Sequence, residues 1–241
     1  MDSDMREKLE QATIGGEAAN HGTAHLLAMY YEIVQRDQPV VLELGTQTGS
    51  STRIFLGAIQ EGDGGQLVSV DIEDCSNAAE SSLWTFIQSD SADIKGIISA
   101  APILKLGIDV LYIDSLHHVD HVKKELFGFF PFLKQGGVIF FDDVDSLPYM
   151  RGREKDNIHT EIGNRTILNF LNEAFEDNVE KLYFSISRGA SGLARLEKRT
   201  KLGDELSDEQ MPRARTSKRY WKTRRSILKR LGLLLPSINS R

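Results

Sequence analysis

At 241 residues the chain is long enough for one substantial core. Its 40% hydrophobic and 27% charged residues are the balance of a globular protein, which excludes global disorder. A single cysteine, Cys75, excludes an internal disulfide and agrees with a reducing compartment. The opening MDSDMREKLEQ is charged and unlike a secretory signal, and no apolar run approaches the roughly 20 residues of a membrane span, so the expectation is a soluble, cytoplasmic protein. The net charge of −6 is unevenly spread. Residues 211–241 carry ten Lys and Arg and no acid, leaving 19 basic and 35 acidic residues to the remainder. An acidic body with a basic tail is thereby predicted.

Residues 5–35 have helical spacing, with a break near Gly15 and Gly16. PVVLELG (39–45) is a short apolar run ending in glycine, the pattern of a strand buried on both faces. SSTRIFLGAIQ follows as a capped helix, and EGDGG as a turn. QLVSVD (66–71), TFIQSD (85–90) and IDVLYID (108–114) are the next strands. HHVDHVKKELFGFFPFLKQ predicts a helix that Pro131 ends or kinks. GGVIFFDD (136–143) is a fifth strand, residues 160–176 are helical, and KLYFSIS and GASGLARLE close the sheet. Strands alternating with helices predict an α/β fold, a Rossmann-like, mostly parallel seven-stranded sheet with helices on both faces. The expected divisions are a helical lid over 1–35, a sheet domain over 36–200 and a basic amphipathic tail over 201–241.

In such sheets ligands bind beyond the carboxyl ends of the strands. Gly45 to Gly49, Asp71, Asp90, Asp114, Asp142 and Asp143 all stand at or just past predicted strand ends. The loop LELGTQTGSST has Gln47 where a dinucleotide fingerprint needs glycine for close approach to a pyrophosphate. Glu43 also suits a phosphate poorly and a cofactor with an ammonium and a sulfonium well.

With these residues in place, the chain resembles the class I S-adenosylmethionine-dependent methyltransferases across roughly 35–195. VLELGTQTGSST resembles the first motif of that family, SVDIE the second and FIQSDSAD the adenine-side motif. The resemblance implies that Glu43 and the loop Gly45, Thr46 and Gly49, with Ser51 beyond it, hold the methionine portion. It implies that Asp71 accepts the ribose hydroxyls and that Asp90 and Ser91 face the adenine. LYID…H followed by GGVIFFDDV is similar to the magnesium-dependent catechol O-methyltransferase type and to small bacterial enzymes that methylate sugars and natural products. That similarity implies a metal held by Asp114, Asp142 and Asp143, with Mg²⁺ as the expected ion. It also implies a base three residues after Asp114, where His117 replaces the type's lysine.

Three converging carboxylates would repel one another, and a hard divalent cation removes that cost. The stretch DSLHH then divides its labour, with Asp114 for metal and His117, ordinary pKa near 6.5, for proton removal. A zinc site from His117 and His121, spaced i,i+4, is the alternative; otherwise His118 and His121 are expected on the helix surface. The acceptor is expected to be a small hydroxylated molecule, a sugar or natural-product intermediate, bounded by lid segments near 1–30 and 145–165. A hydroxylase on the same fold and a non-catalytic cofactor-binding protein are the rival readings. The tail, with Tyr220, Trp221 and the cluster Ile227, Leu228, Leu231, Leu233, Leu234 and Leu235, leaves open a membrane surface, a subunit contact, a homo-oligomer or a solvated segment. Nucleic acid is disfavoured by the acidic body.

Overall fold

A computed structural model describes residues 3–14, 21–209 and 218–232. It divides into two compact units, Met1–Asp208 and Glu209–Arg241. The first holds a seven-stranded sheet: β1 Val40–Leu44, β2 Gln66–Asp71, β3 Trp84–Gln88, β4 Ile108–Ile113, β5 Leu133–Phe141, β6 Leu182–Ser187 and β7 Leu193–Lys198. Its order is β3-β2-β1-β4-β5-β7-β6. All neighbours pair in parallel except β7, which is antiparallel to both β5 and β6. The predicted fold class is therefore the observed one.

The helices are α1 Ser3–Ile14, α2 His21–Val34, α3 Ser50–Glu61, α4 Ile94–Ala100, α5 Val119–Phe129 and α6 Ile158–Asp177. The break expected at Gly15 and Gly16 falls outside the described residues. Pro131 ends α5 as predicted, inside a single 3₁₀ turn over Phe130–Phe132. The α4 segment was not legible, being seven residues with little periodicity. β5 starts three residues before the predicted strand and runs through Gly136 and Gly137, where the pairing with β4 shifts register. Paired glycines in a strand accommodate a bulge as readily as they end a strand.

Side-chain alternation builds two cores, one on each face. Val40, Leu42, Leu44, Leu111, Ile113, Ile139 and Phe141 pack against α4, α5 and α6. Val41, Leu67, Val110, Tyr112, Val138 and Phe140 pack against α1, α2 and α3. Strand order reverses between β1 and β4, so the crevice of this sheet opens past Leu44 and Ile113.

The boundary expected at residue 200 falls later. Leu206 is buried in the first core, and the side chain of Asn178 clamps Ser207 by accepting its N–H at 2.7 Å and donating to its carbonyl at 3.1 Å. Residues 201–208 thus close the sheet domain. The second unit holds α7, Lys218–Arg230, and no described helix is long and apolar enough to cross a membrane.

A chain ending at Asp208 should melt within about 2 °C of the full-length protein, the scale of a surface change of roughly 0.5 kcal/mol. A chain ending at Thr200 loses Leu206 and the Asn178 clamp and should be destabilised by about 3 kcal/mol. Calorimetry on the two truncations distinguishes them, and equal melting would place residues 201–208 outside the domain.

Candidate functional site

Two cavities open at the carboxyl ends of the strands. The larger, about 500 Å³, is lined by Gly45 and Gln47 after β1, Asp71 to Glu73 after β2, Asp90 and Ser91 after β3, Asp114 to Leu116 after β4, and His121 of α5. The smaller, about 220 Å³, is lined by His25 and Met29 of α2, Ser51 of α3, Tyr112, Asp114, Asp142 and Ser191. Asp114 belongs to both.

The loop after β1 is held by Asp71. Its Oδ2 accepts the backbone N–H groups of Thr46 at 2.8 Å and Gln47 at 2.9 Å, and its Oδ1 that of Glu73 at 3.0 Å. Burial pushes this carboxyl up, but the backbone donors outweigh it and hold the pKa below the ordinary value. Gly45, at φ +100°, passes so close to β4 that a Cβ there would lie 2.0 Å from the Asp114 carbonyl oxygen. Gly49, at φ +73°, starts α3.

Thr46 is buried, and its Oγ1 has no hydrogen-bond partner among the described residues. Glu43 is fully buried and lies beneath the loop, away from the walls of the larger cavity. The period of two in β1 gives it the same face as Val41, toward α3. There it accepts hydroxyl protons from Ser51 at 2.5 Å, Thr52 at 2.7 Å and Ser69 at 2.6 Å; Ser69 is its register partner on β2. Burial lifts its pKa to about 7 against those three hydroxyls. Glu43 thus touches neither cavity, and its partner Ser51, expected with the loop around the methionine portion, lines the smaller cavity.

Asp90 and Ser91 both line the larger cavity. Ser91 Oγ lies 2.8 Å from His121 Nε2, and His121 lies 3.3 Å from Glu125 Oε1 one turn later in α5. Ser115 donates to the same Glu125 oxygen at 2.6 Å, while Oε2 is buried with no partner among the described residues. Burial raises the Glu125 pKa. His121 is therefore a cavity-wall residue, with 15% of its side chain exposed, and not the helix-surface residue expected; His118 does lie on the surface. The i,i+4 spacing to Glu125 was the signal for this pair.

Asp114, Asp142 and Asp143 meet at the ends of β4 and β5. The Tyr112 hydroxyl lies 3.1 Å from a carboxylate oxygen of Asp114 and 3.1 Å from one of Asp142. Asp142 also accepts from the backbone N–H of Asp143 at 2.8 Å and from Ser191 Oγ at 3.1 Å. Burial, then the charges of Asp114 and Asp143, push the Asp142 pKa up to about 6. Asp143 has φ +55°, a left-handed conformation that aspartate tolerates better than most residues. His117 Nε2 sits 3.3 Å from Asp114 and 3.4 Å from Asp143. Burial lowers its pKa, but the three carboxylates outweigh burial and raise it.

His117 and His121 face different partners, so the pairing of the two for zinc is not formed. As the side chains stand, no group of three His, Cys, Asp or Glu among the described residues is arranged to hold a metal ion. The donor chemistry nonetheless suits a hard cation, because all three groups are carboxylates and their mutual repulsion is relieved by positive charge. Tyr112 is the residue that sequence reading missed here; as an aromatic in a buried strand it read as core.

Residues 42–144 match a family model described as a methyltransferase domain. That match takes in 103 of the 241 residues, and together with the strand order and the glycine loop it makes the sheet similar to that of a methyltransferase domain. Comparison with curated proteins gives no match. Among solved structures the chain is similar to the MycE methyltransferase of mycinamycin biosynthesis in complex with Mg and S-adenosylhomocysteine (21% identity, TM-score 0.56). The match covers 89% of this chain and 58% of MycE, so the chain spans under three fifths of that protein. It is also similar to the Podospora anserina methyltransferase PaMTH1 bound to S-adenosylhomocysteine (14%, TM-score 0.55, 82% of this chain and 87% of that one). A third is CalS11, a TDP-rhamnose 3′-O-methyltransferase of calicheamicin biosynthesis (14%, TM-score 0.51, 81% and 93%). At these identities the likeness is one of fold.

Glu43 gives a pH test of the buried hub. With its pKa raised from 4.5 to about 7, the folded state keeps a proton that the unfolded state loses between those values. The stabilisation from this group is complete below about pH 4.5 and lost as pH rises to about 7, by about 3 kcal/mol in all. Urea unfolding of Glu43→Gln should lack that slope; an unchanged slope would mean that Glu43 titrates normally.

Proposed function

We propose that the protein is an S-adenosylmethionine-dependent O-methyltransferase, assisted by a divalent metal, acting on a small hydroxylated acceptor such as a sugar or natural-product intermediate. The observation that carries this reading is Asp114, which stands where the two cavities meet, with Asp142, Asp143 and His117 around it. The larger cavity would hold S-adenosylmethionine, which would supply an electrophilic sulfonium methyl, and Asp114, Asp142 and Asp143 would hold Mg²⁺, which would offset their charge and lower a hydroxyl pKa. Asp71 receives the ribose hydroxyls, and Asp90 and Ser91 border the adenine.

His117 takes the acceptor's hydroxyl proton at Nδ1, because Nε2 directs its N–H at the carboxylates of Asp114 and Asp143. Those carboxylates make it the stronger base and stabilise the imidazolium that results. The smaller cavity receives the acceptor. Its walls are polar at Ser51, Ser191 and Asp142 and apolar at Leu26, Met29 and Leu193. At about 220 Å³ it falls below the roughly 300–1,000 Å³ of drug-sized pockets, which supports a single small ring at the reacting end. The sugar-modifying relative CalS11 supports the same acceptor class.

Transfer of a labelled methyl group to a panel of sugars and vicinal diols, with and without EDTA, tests the reading. Asp71→Ala should weaken S-adenosylhomocysteine binding by about 1.5–3 kcal/mol. His117→Ala should lower kcat by roughly 10²–10⁴ with little change in cofactor affinity. Asp114→Ala should lose activity together with its response to Mg²⁺. An enzyme indifferent to EDTA would remove the metal from this scheme, and one that binds NADH but not S-adenosylhomocysteine would overturn the whole.

A further inference from the structure

The second unit carries a pattern that methyl transfer does not use. At 100° per residue, Tyr220, Ile227, Leu228 and Leu231 of α7 and its following turn fall within an arc of about 100°. Leu231 stays on the helical path, since its N–H donates to the Ile227 carbonyl at 3.0 Å. Lys222, Arg225, Lys229 and Arg230 fall on the opposite side, within about 140°. Ile227 and Leu231 are 51% and 64% exposed. No acidic residue occurs between Met211 and Arg241 to balance the charge.

Both arcs are unfavourable for a helix in water. Lys222, Arg225 and Lys229 are spaced i,i+3 and i,i+4, so like charges repel along one side. The apolar arc on the other side gains nothing from solvent. A surface that is anionic and apolar at once relieves both. Nucleic acid would meet the basic arc and leave the apolar one wet. An acidic protein face does the same unless it also offers a groove. Arg224 lies within the apolar arc, and its long stem lets the guanidinium reach the headgroups while the methylenes stay below.

We infer that α7 is a membrane-surface helix that lies flat on anionic lipid, with Ile227, Leu228 and Leu231 at the boundary between headgroups and acyl chains. This rests on α7 alone and is independent of the chemistry proposed for the sheet domain.

Sedimentation of the full chain with vesicles tests it. Phosphatidylcholine alone should leave the protein in solution, whereas phosphatidylcholine and phosphatidylglycerol in equal parts should pellet it, less so as salt rises. In the full chain, Lys222→Gln, Arg225→Gln and Lys229→Gln together should lower partitioning roughly a hundredfold, at about fivefold per charge. Ile227→Ser with Leu231→Ser leaves the charge unchanged and should lower it by at least about tenfold. Absence of pelleting, or equal pelleting of the triple-Gln variant, overturns the inference. Insensitivity to the serine pair also overturns it, and assigns the basic arc to a purely electrostatic partner such as an oligonucleotide or the chain's own acidic body.

Discussion

Three carboxylates crowd the ends of two adjacent strands, and much of the local architecture serves to tolerate that charge. Register forces the crowding: β4 and β5 run parallel and end side by side, so Asp114 and Asp142 emerge next to each other. Asp142 responds by holding its proton to about pH 6. The surrounding groups are the donors such a cluster needs. Tyr112 offers one hydroxyl proton to two acceptors, Ser191 reaches in from the turn before β7, and the Asp143 amide caps its neighbour. The Ser191 contact depends on an antiparallel strand, because only a reversed β7 brings the turn before it to the carboxyl end of β5.

A second buried carboxyl, Glu43, is treated differently. It has no acidic neighbour in contact and three hydroxyl donors, so its elevated pKa comes first from burial. Its role is to fasten the start of α3 to β1 and β2, which fixes the loop from Gly45 to Gly49. Trp84 extends this fastening to β3 by donating its indole N–H to Ser69 at 2.9 Å. A polar centre inside a core is expensive unless fully bonded, and here both carboxyl oxygens have partners.

The sequence carried the strands well, because buried parallel strands read as apolar runs, and β1, β2 and β4 are each bounded by glycine, proline or acid. Asp71, Asp90, Ser91, Asp114, Asp142 and Asp143 were legible for a related reason: strand ends in an α/β sheet converge whatever the loops do. Contacts made by helices were less legible. His121 and Glu125 look like an ordinary exposed i,i+4 pair until the β3 loop brings Ser91 against them. Tyr112 and Glu43 sit within strands, where only the register between neighbours decides which groups they meet. The extent of the domain past residue 200 was hidden because its closing contacts, Leu206 and Ser207, belong to a segment without periodicity.

The close passage of Gly45 over the Asp114 carbonyl ties the floor of one cavity to the wall of the other. The backbones touch there with no side chain between them to absorb a shift. A ligand that displaces the loop after β1 must therefore displace the end of β4, and whatever engages Asp114 acts back on the loop. Thermodynamic reciprocity makes that coupling equal in both directions. The two cavities thus share one stretch of tightly packed backbone, between Gly45 and Asp114.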